Sequence, residues 1–229
     1  MTNYYRDKLA AQRLKRCYDI APPRVRQYLQ AEVDHVLGKI RPGDIVLDMG
    51  CGYGRIFPRL AEKAGRIIGI DIALDNLLLG RKMGLGEANG VWLQMDAVLL
   101  AFHDRVFDVV ICIQNGISAF HVDPKNLIRE SLRVTKPGGT VLFSSYSEKF
   151  WEDRLRWFEL QSEAGLVGEI DRAKTHNGVI VCKDGFTATT FRPQQFLSLA
   201  AELGVVARVE EVDDSSLFCE MSPGRPARK

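Results

Sequence analysis

Apolar and polar positions follow two alternating periods along the chain, and each switch of period marks an element. Val25, Tyr28, Leu29, Val33, Val36 and Leu37 recur at three- and four-residue steps, the spacing of one buried helix face. The first 40 residues therefore predict two helices separated at Ala21-Pro22-Pro23, whose prolines suit the first turn of the second. The apolar run Val46-Leu47-Asp48-Met49 predicts a buried strand, after which Ile56, Leu60 and Ala61 return to helical spacing. Further strands are predicted over 66–70, 91–94, 107–113 and 140–146. Helices are predicted near 74–83 and over 124–134, the second opened by Asp123 as N-cap with Pro124 in the first turn.

Beyond Tyr146 the strand–helix alternation changes. Residues 148–163 predict an amphipathic helix with Trp151, Leu155 and Phe158 on one stripe. Three short strands near 168–174, 179–183 and 186–191 follow, with Asn177-Gly178 and Asp184-Gly185 as hairpin signals. A helix from Pro193 to Leu203 and a closing hairpin, 205–212 and 215–221 across Asp213-Asp214, complete the pattern.

The candidate chemistry centres on Gly50, Gly52 and Gly54 between the first strand and the following helix. Glycines at such a turn permit positive φ and close approach of a ligand to the backbone, and free N–H groups at the helix start favour a polar or anionic group. The dinucleotide fingerprint G-x-G-x-x-G needs its third glycine where Arg55 stands, so dinucleotide binding is disfavoured. Asp71, at the tip of the second strand, is placed to accept hydrogen bonds from a ribose diol.

D-x-G-x-G-x-G at the end of a first strand resembles motif I of the class I S-adenosylmethionine-dependent methyltransferases. Residues 96–110, DAVLLAFHDRVFDVV, resemble the same family through Asp96-Ala97, Phe102, Asp104 and Phe107-Asp108, as does the R-V-x-K-P-G-G hinge before the fifth strand. Within the family the resemblance is to glycine N-methyltransferase and its small-molecule relatives. It is carried by FDVVICIQNGISAF, residues 107–120, by Tyr5, Ala10-Ala11, Arg13 and Tyr18, and by an insertion after the fifth strand. The implied fold is α/β and Rossmann-like, a seven-stranded sheet in the order 3-2-1-4-5-7-6 with N-terminal helices and a small antiparallel β insertion. Residues 1–40 would form a helical lid, 41–147 and 192–221 the cofactor-binding domain, 148–191 a substrate cap, and 222–229 a flexible tail.

The resemblance implies S-adenosylmethionine as cofactor. Asp48, Gly50, Gly52 and Gly54 would surround its methionine part, Asp71 and Ile72 its ribose, Asp96 and Ala97 its adenine. The backbone oxygen of Ile113 would meet its ammonium, Tyr5 or Tyr18 would close over its sulfonium, and Asn115 would face the acceptor. In-line displacement from a sulfonium mainly needs alignment and exclusion of water. A hydroxyl or protonated amine also needs a base, for which His121, His176 and Tyr146 are candidates. Arg154, Arg156 and Arg172 are candidates for holding a substrate carboxylate. The expected reaction is methyl transfer to a small molecule, foremost the nitrogen of an amino-acid-like or amine substrate. O-, S- or C-methylation, RNA methylation and a non-catalytic binding role are the alternatives.

Composition narrows the partners. With 229 residues, 46% hydrophobic and 26% charged, the chain suits one α/β domain with an insertion. A formal net charge of +2 disfavours nucleic acid as the partner. The 5 cysteines are widely spaced, without a C-x-x-C pair, and no metal site is expected. Residues 1–20 lack an uninterrupted apolar stretch, so a cytoplasmic protein without a membrane span is expected. Oligomer formation is left open.

Overall fold

The computed structural model describes residues 4–86 and 89–224, so the last residues of the expected flexible tail, 225–229, lie outside the described residues. A seven-stranded sheet runs β3-β2-β1-β4-β5-β9-β8, the order the resemblance implies. Its parallel part comprises β1 (Ile45–Met49), β2 (Arg66–Asp71), β3 (Gly90–Gln94), β4 (Phe107–Cys112) and β5 (Thr135–Tyr146); β9 (Ser216–Met221) and β8 (Ala207–Val212) close it antiparallel. The central strands are apolar on both sides because both faces are covered. Leu47, Val110 and Phe143 look into one apolar layer, shared with Leu127 and Ile128 of α7 (Pro124–Val134) and Phe196 of α9 (Pro193–Glu202). Val46, Val109 and Leu142 face the other, with Val33, Val36 and Leu37 of α3 (Pro23–Lys39) and Leu77 of α5 (Leu74–Lys82).

The N-terminal region forms three helices instead of two: α1 (Tyr4–Asp7), α2 (Gln12–Asp19) and α3. The additional break has a tertiary cause. The Ala11 N–H donates to Asn76 Oδ1 at 2.6 Å, and Ala11 sits at φ 51°. Arg13 donates to the carbonyls of Lys8, Gly165 and Leu166, so this backbone is engaged by partners outside any helix. The helix after the glycine turn is likewise short, α4 (Phe57–Leu60), with Pro58 in its first turn. β5 begins at Thr135, earlier than the pattern predicts, and the register against β4 shifts between Phe107 and Val109.

The insertion contains α8 (Trp151–Glu163), preceded by a single 3₁₀ turn, and a two-stranded ribbon of β6 (Ile180–Val181) and β7 (Thr187–Ala188). The predicted three-stranded meander is thus a smaller structure. Its first arm pairs only through the Ile170–Cys182 bridge, and the Asn177-Gly178 turn closes only the His176–Val179 bridge. The segment is held by packing instead: Leu166, Val167, Ile170, Ile180 and Phe186 form an apolar cluster with Leu9, Cys17 and Phe158. Phe186 meets the ring of Tyr4 edge-on, and the Tyr4 hydroxyl donates to Asp184 at 2.6 Å. Asn115, just past β4, donates to the Thr189 carbonyl. The insertion is therefore tied to both the N-terminal segment and the carboxyl edge of the sheet.

Candidate functional site

The glycine turn is strapped to the neighbouring strand. Gly50 and Cys51 donate their N–H groups to the Ile70 carbonyl, and Gly52 donates to Asp71 Oδ2 at 2.9 Å. Asp71 Oδ1 accepts from the Ala73 N–H at 2.7 Å, which starts α5 without a capping side chain at Ala73. One carboxylate thus joins two turns. Because a carboxylate has about four lone-pair positions, the two backbone donors leave accepting capacity on Asp71. Burial pushes Asp71 above the usual carboxylate range, against the pull of its backbone donors.

Above this junction lies a cavity of about 240 Å³. Asp48, Gly50, Gly52, Asp71, Ile72, Asp96, Ala97 and Ile113 line it, together with Tyr5, Tyr18 and Tyr146. Asp48 is buried, and desolvation raises its carboxyl to about 7, with Asp71 adding repulsion and Arg55 opposing. Tyr18 donates to Gln114 Oε1 at 2.8 Å.

Other expected residues stand apart from this cavity. Gly54 does not line it: a Cβ there would meet the Trp92 ring at 2.0 Å, so this glycine serves packing. Asn115 is buried and lines no part of the cavity, its amide donating to Thr189 O and accepting from Ser145 Oγ at 2.7 Å. Those bonds hold an unusual turn, since Gln114 and Asn115 have consecutive positive φ values of 54° and 64°. Backbone of this kind costs about 1–3 kcal/mol per residue and persists only where surroundings enforce it. His121 and His176 are exposed and line no part of the cavity, because the chain turns outward after α6 (Gly116–Ala119) and at the insertion tip.

The three arginines also separate. Arg156 and Arg172 are exposed and paired with acids, Arg156 with Glu159 and Glu163, Arg172 with Glu159. Arg154 is fully buried, its guanidinium 4.2 Å from the centre of the Tyr146 ring, and it donates to the Gly178 carbonyl at 3.0 Å. It joins α8 to the ribbon and lies behind the cavity wall. Arg154 Nε is left without a hydrogen-bond partner, but Arg154 lines no part of the cavity, and Arg156 and Arg172 are engaged by surface acids.

Sequence pattern leaves several lining residues unmarked. Arg55 places its guanidinium 4.8 Å from the centre of the Tyr18 ring, and its Nη2 is buried without a hydrogen-bond partner. A basic residue directly after a glycine turn was the available signal. Trp157, Phe158 and Gln161 of α8 supply an aromatic wall, signalled only by helical spacing. Tyr28 lines the floor from α3, and its periodicity marks it as core alone.

The chamber therefore combines acids, a guanidinium with one unpartnered nitrogen at the turn, and aromatic rings. No group of metal-binding side chains occurs among the described residues, and no helix among them is long and apolar enough to cross a membrane.

Residues 46–139 match the family described as "Methyltransferase domain". The chain is 30% identical over 149 residues to 2-methyl-6-phytyl-1,4-hydroquinone methyltransferase of Synechocystis sp., covering 57% of this chain and 46% of the relative. It is 30% identical over 125 residues to ubiquinone biosynthesis O-methyltransferase of Hydrogenovibrio crunogenus, covering 53% and 51%. It is 32% identical over 110 residues to phosphoethanolamine N-methyltransferase 1 of Zea mays, covering 45% and 21%. The chain thus spans about half the length of the first two and less of the third. None of these is a glycine N-methyltransferase. In fold, the chain is similar to the PH0226 protein of Pyrococcus horikoshii, at 23% identity and a TM-score of 0.65, covering 97% of this chain and 99% of that one.

Proposed function

We propose that this chain is a class I S-adenosylmethionine-dependent methyltransferase that transfers a methyl group to a hydroxyl oxygen of a small aromatic acceptor. The observation that carries the cofactor half is the convergence of Asp48, the glycine turn, Asp71 and Asp96 on one cavity with an unpartnered Arg55 Nη2. These residues fit S-adenosylmethionine. Asp71 retains capacity for a ribose diol, Asp96-Ala97 for an adenine edge, and Arg55 can pair with the carboxylate of the methionine part. When bound, S-adenosylmethionine supplies an electrophilic methyl on a cationic sulfonium.

The protein's own contribution is alignment and shielding. The Tyr5, Tyr18, Trp157 and Phe158 rings line the cavity and exclude water, which favours an in-line displacement. Such rings present apolar and π surface to a flat acceptor. The loss of Arg156 and Arg172 to surface ion pairs, and of Arg154 to the core, removes support for an amino-acid acceptor held by its carboxylate. One relative is named for O-methylation in ubiquinone biosynthesis, which supports an oxygen acceptor, and another for a hydroquinone, whose name gives an aromatic acceptor without the acceptor atom. A small amine nitrogen is the second reading, supported by the N-methyltransferase relative.

The test is transfer of a radiolabelled methyl from S-adenosylmethionine to a panel of hydroquinones, catechols, amines and amino acids. Labelled phenol ethers are the expected products. Label confined to amines favours the second reading, and label in none of the panel overturns the acceptor class.

A further inference from the structure

Behind the aromatic wall the cavity floor holds a polar cluster that neither cofactor binding nor packing accounts for. Tyr28 is fully buried and lines the cavity, yet its hydroxyl makes no hydrogen bond of good geometry, although it lies near enough to Tyr146 and Glu32 to lower the proton affinity of both. A buried unpaired hydroxyl costs about 1–3 kcal/mol, so its position calls for a partner supplied by a ligand or by a small movement on binding. Its ring lies 5.4 Å from that of Tyr146, which also lines the cavity at the end of β5. One helical turn beyond Tyr28, on the same face of α3, is Glu32, fully buried. Glu32 accepts from the Gln114 N–H at 3.1 Å and from Ser216 Oγ at 3.2 Å.

From this arrangement we propose that Tyr146, Tyr28 and Glu32 form a relay that accepts the proton of the acceptor's hydroxyl. It rests on the oxygen-acceptor reading above. In the step, the hydroxyl oxygen forms its bond to the methyl carbon while the carbon–sulfur bond breaks and its pair stays on sulfur. The hydroxyl proton passes to Tyr146 oxygen, the Tyr146 proton to Tyr28 oxygen, and the Tyr28 proton to the Glu32 carboxylate. The positive charge of the sulfonium and the negative charge of Glu32 disappear together. Tyr146 is the member that meets substrate; Tyr28 and Glu32 act through it. Hydrogen bonds of this kind tighten on complex formation, so a gap at Tyr28 in the free protein is compatible with the relay.

The proton affinity of the terminal group suits the task. Desolvation raises Glu32 to about 7, opposed by hydrogen bonds from Ser144 and Ser216, by the Arg55 charge and by Tyr28. The other titratable groups facing it are Cys112 of β4 and Tyr146 of β5, both held neutral by burial. A carboxylate near neutrality can accept a proton without holding it too firmly for turnover. Tyr146 is itself pushed up by burial, opposed by the Arg154 guanidinium 4.2 Å from its ring centre, so it passes a proton on and does not act as a standing phenolate.

The experiment compares the wild type, Tyr28→Phe and Glu32→Gln on two probe acceptors, catechol and 4-nitrocatechol, the second largely ionised at mildly alkaline pH. Tyr28→Phe keeps the buried ring and its packing, so it should fold even if Glu32→Gln does not. The relay predicts a loss on the order of 100-fold in kcat on catechol for both variants. It also predicts little change on 4-nitrocatechol and loss of the limb of the pH profile near neutrality. Without any methyl donor, the infrared band of a protonated buried carboxylic acid should grow as pH falls through neutrality and shrink in Glu32→Gln. Equal losses on both acceptors, no loss on either, an unchanged infrared titration in Glu32→Gln, or S-adenosylmethionine binding without transfer to either phenol overturns the relay. Failure of the wild type to bind S-adenosylmethionine overturns the methyltransferase reading itself.

Discussion

Arg55 carries the most consequence for a single side chain. Its unpartnered Nη2 beside the glycine turn predicts that Arg55→Ala weakens S-adenosylmethionine about 10- to 100-fold, the value of one charge-assisted hydrogen bond, with little effect on folding. Calorimetric titration of the variant checks this. Gly54 predicts the reverse. Gly54→Ala drives a Cβ into Trp92 at φ 70° and should destabilise the fold by about 2–4 kcal/mol, read by urea unfolding. Buried carboxyls give a third outcome. Asp48 and Glu32 have folded values near 7, above their unfolded ones, so between the two the native state binds more protons and stability falls as pH rises. The unfolding midpoint of the ligand-free protein should therefore be higher at pH 5 than at pH 8, and Asp48→Asn should flatten that slope.

Among the elements, α8 shows how one helix separates structural from surface arginines. Arg154→Ala leaves Gly178 O and the Tyr146 ring without a cation and empties a buried volume, so it should cost about 3 kcal/mol or more. Arg156→Ala and Arg172→Ala remove exposed pairs worth about 0–1 kcal/mol and should leave both stability and the acceptor KM unchanged. The helix itself is legible in the spacing of Trp151, Leu155 and Phe158, but periodicity gives a face without saying which polar residue is drawn into it. The first strands, the glycine turn and Asp71 are legible for the opposite reason, since local geometry alone fixes them. The break before α2 depends on Asn76, distant in sequence, and the ribbon's short pairing depends on packing against Leu9 and Phe158. No local pattern encodes either.

At the scale of the whole molecule, the sheet brings Asp48, Asp71 and Asp96 to one edge, and the N-terminal and inserted segments line the same cavity. The strands and the acids at their tips follow from the alternation of periods and from motif I, and the order of the strands from the family resemblance. The aromatic wall and the polar floor arise only when α2, α3 and α8 meet, which explains why Trp157, Tyr28 and Glu32 escape the sequence pattern. Everything proposed for the acceptor depends on the cofactor occupying this chamber. The most direct test is calorimetric titration of the ligand-free protein with S-adenosylmethionine and with its demethylated product. Saturable binding of both at one site per chain, lost in Asp71→Ala and weakened in Arg55→Ala, is the predicted result. Absence of saturable heat with either ligand, or affinities untouched by both substitutions, would contradict it.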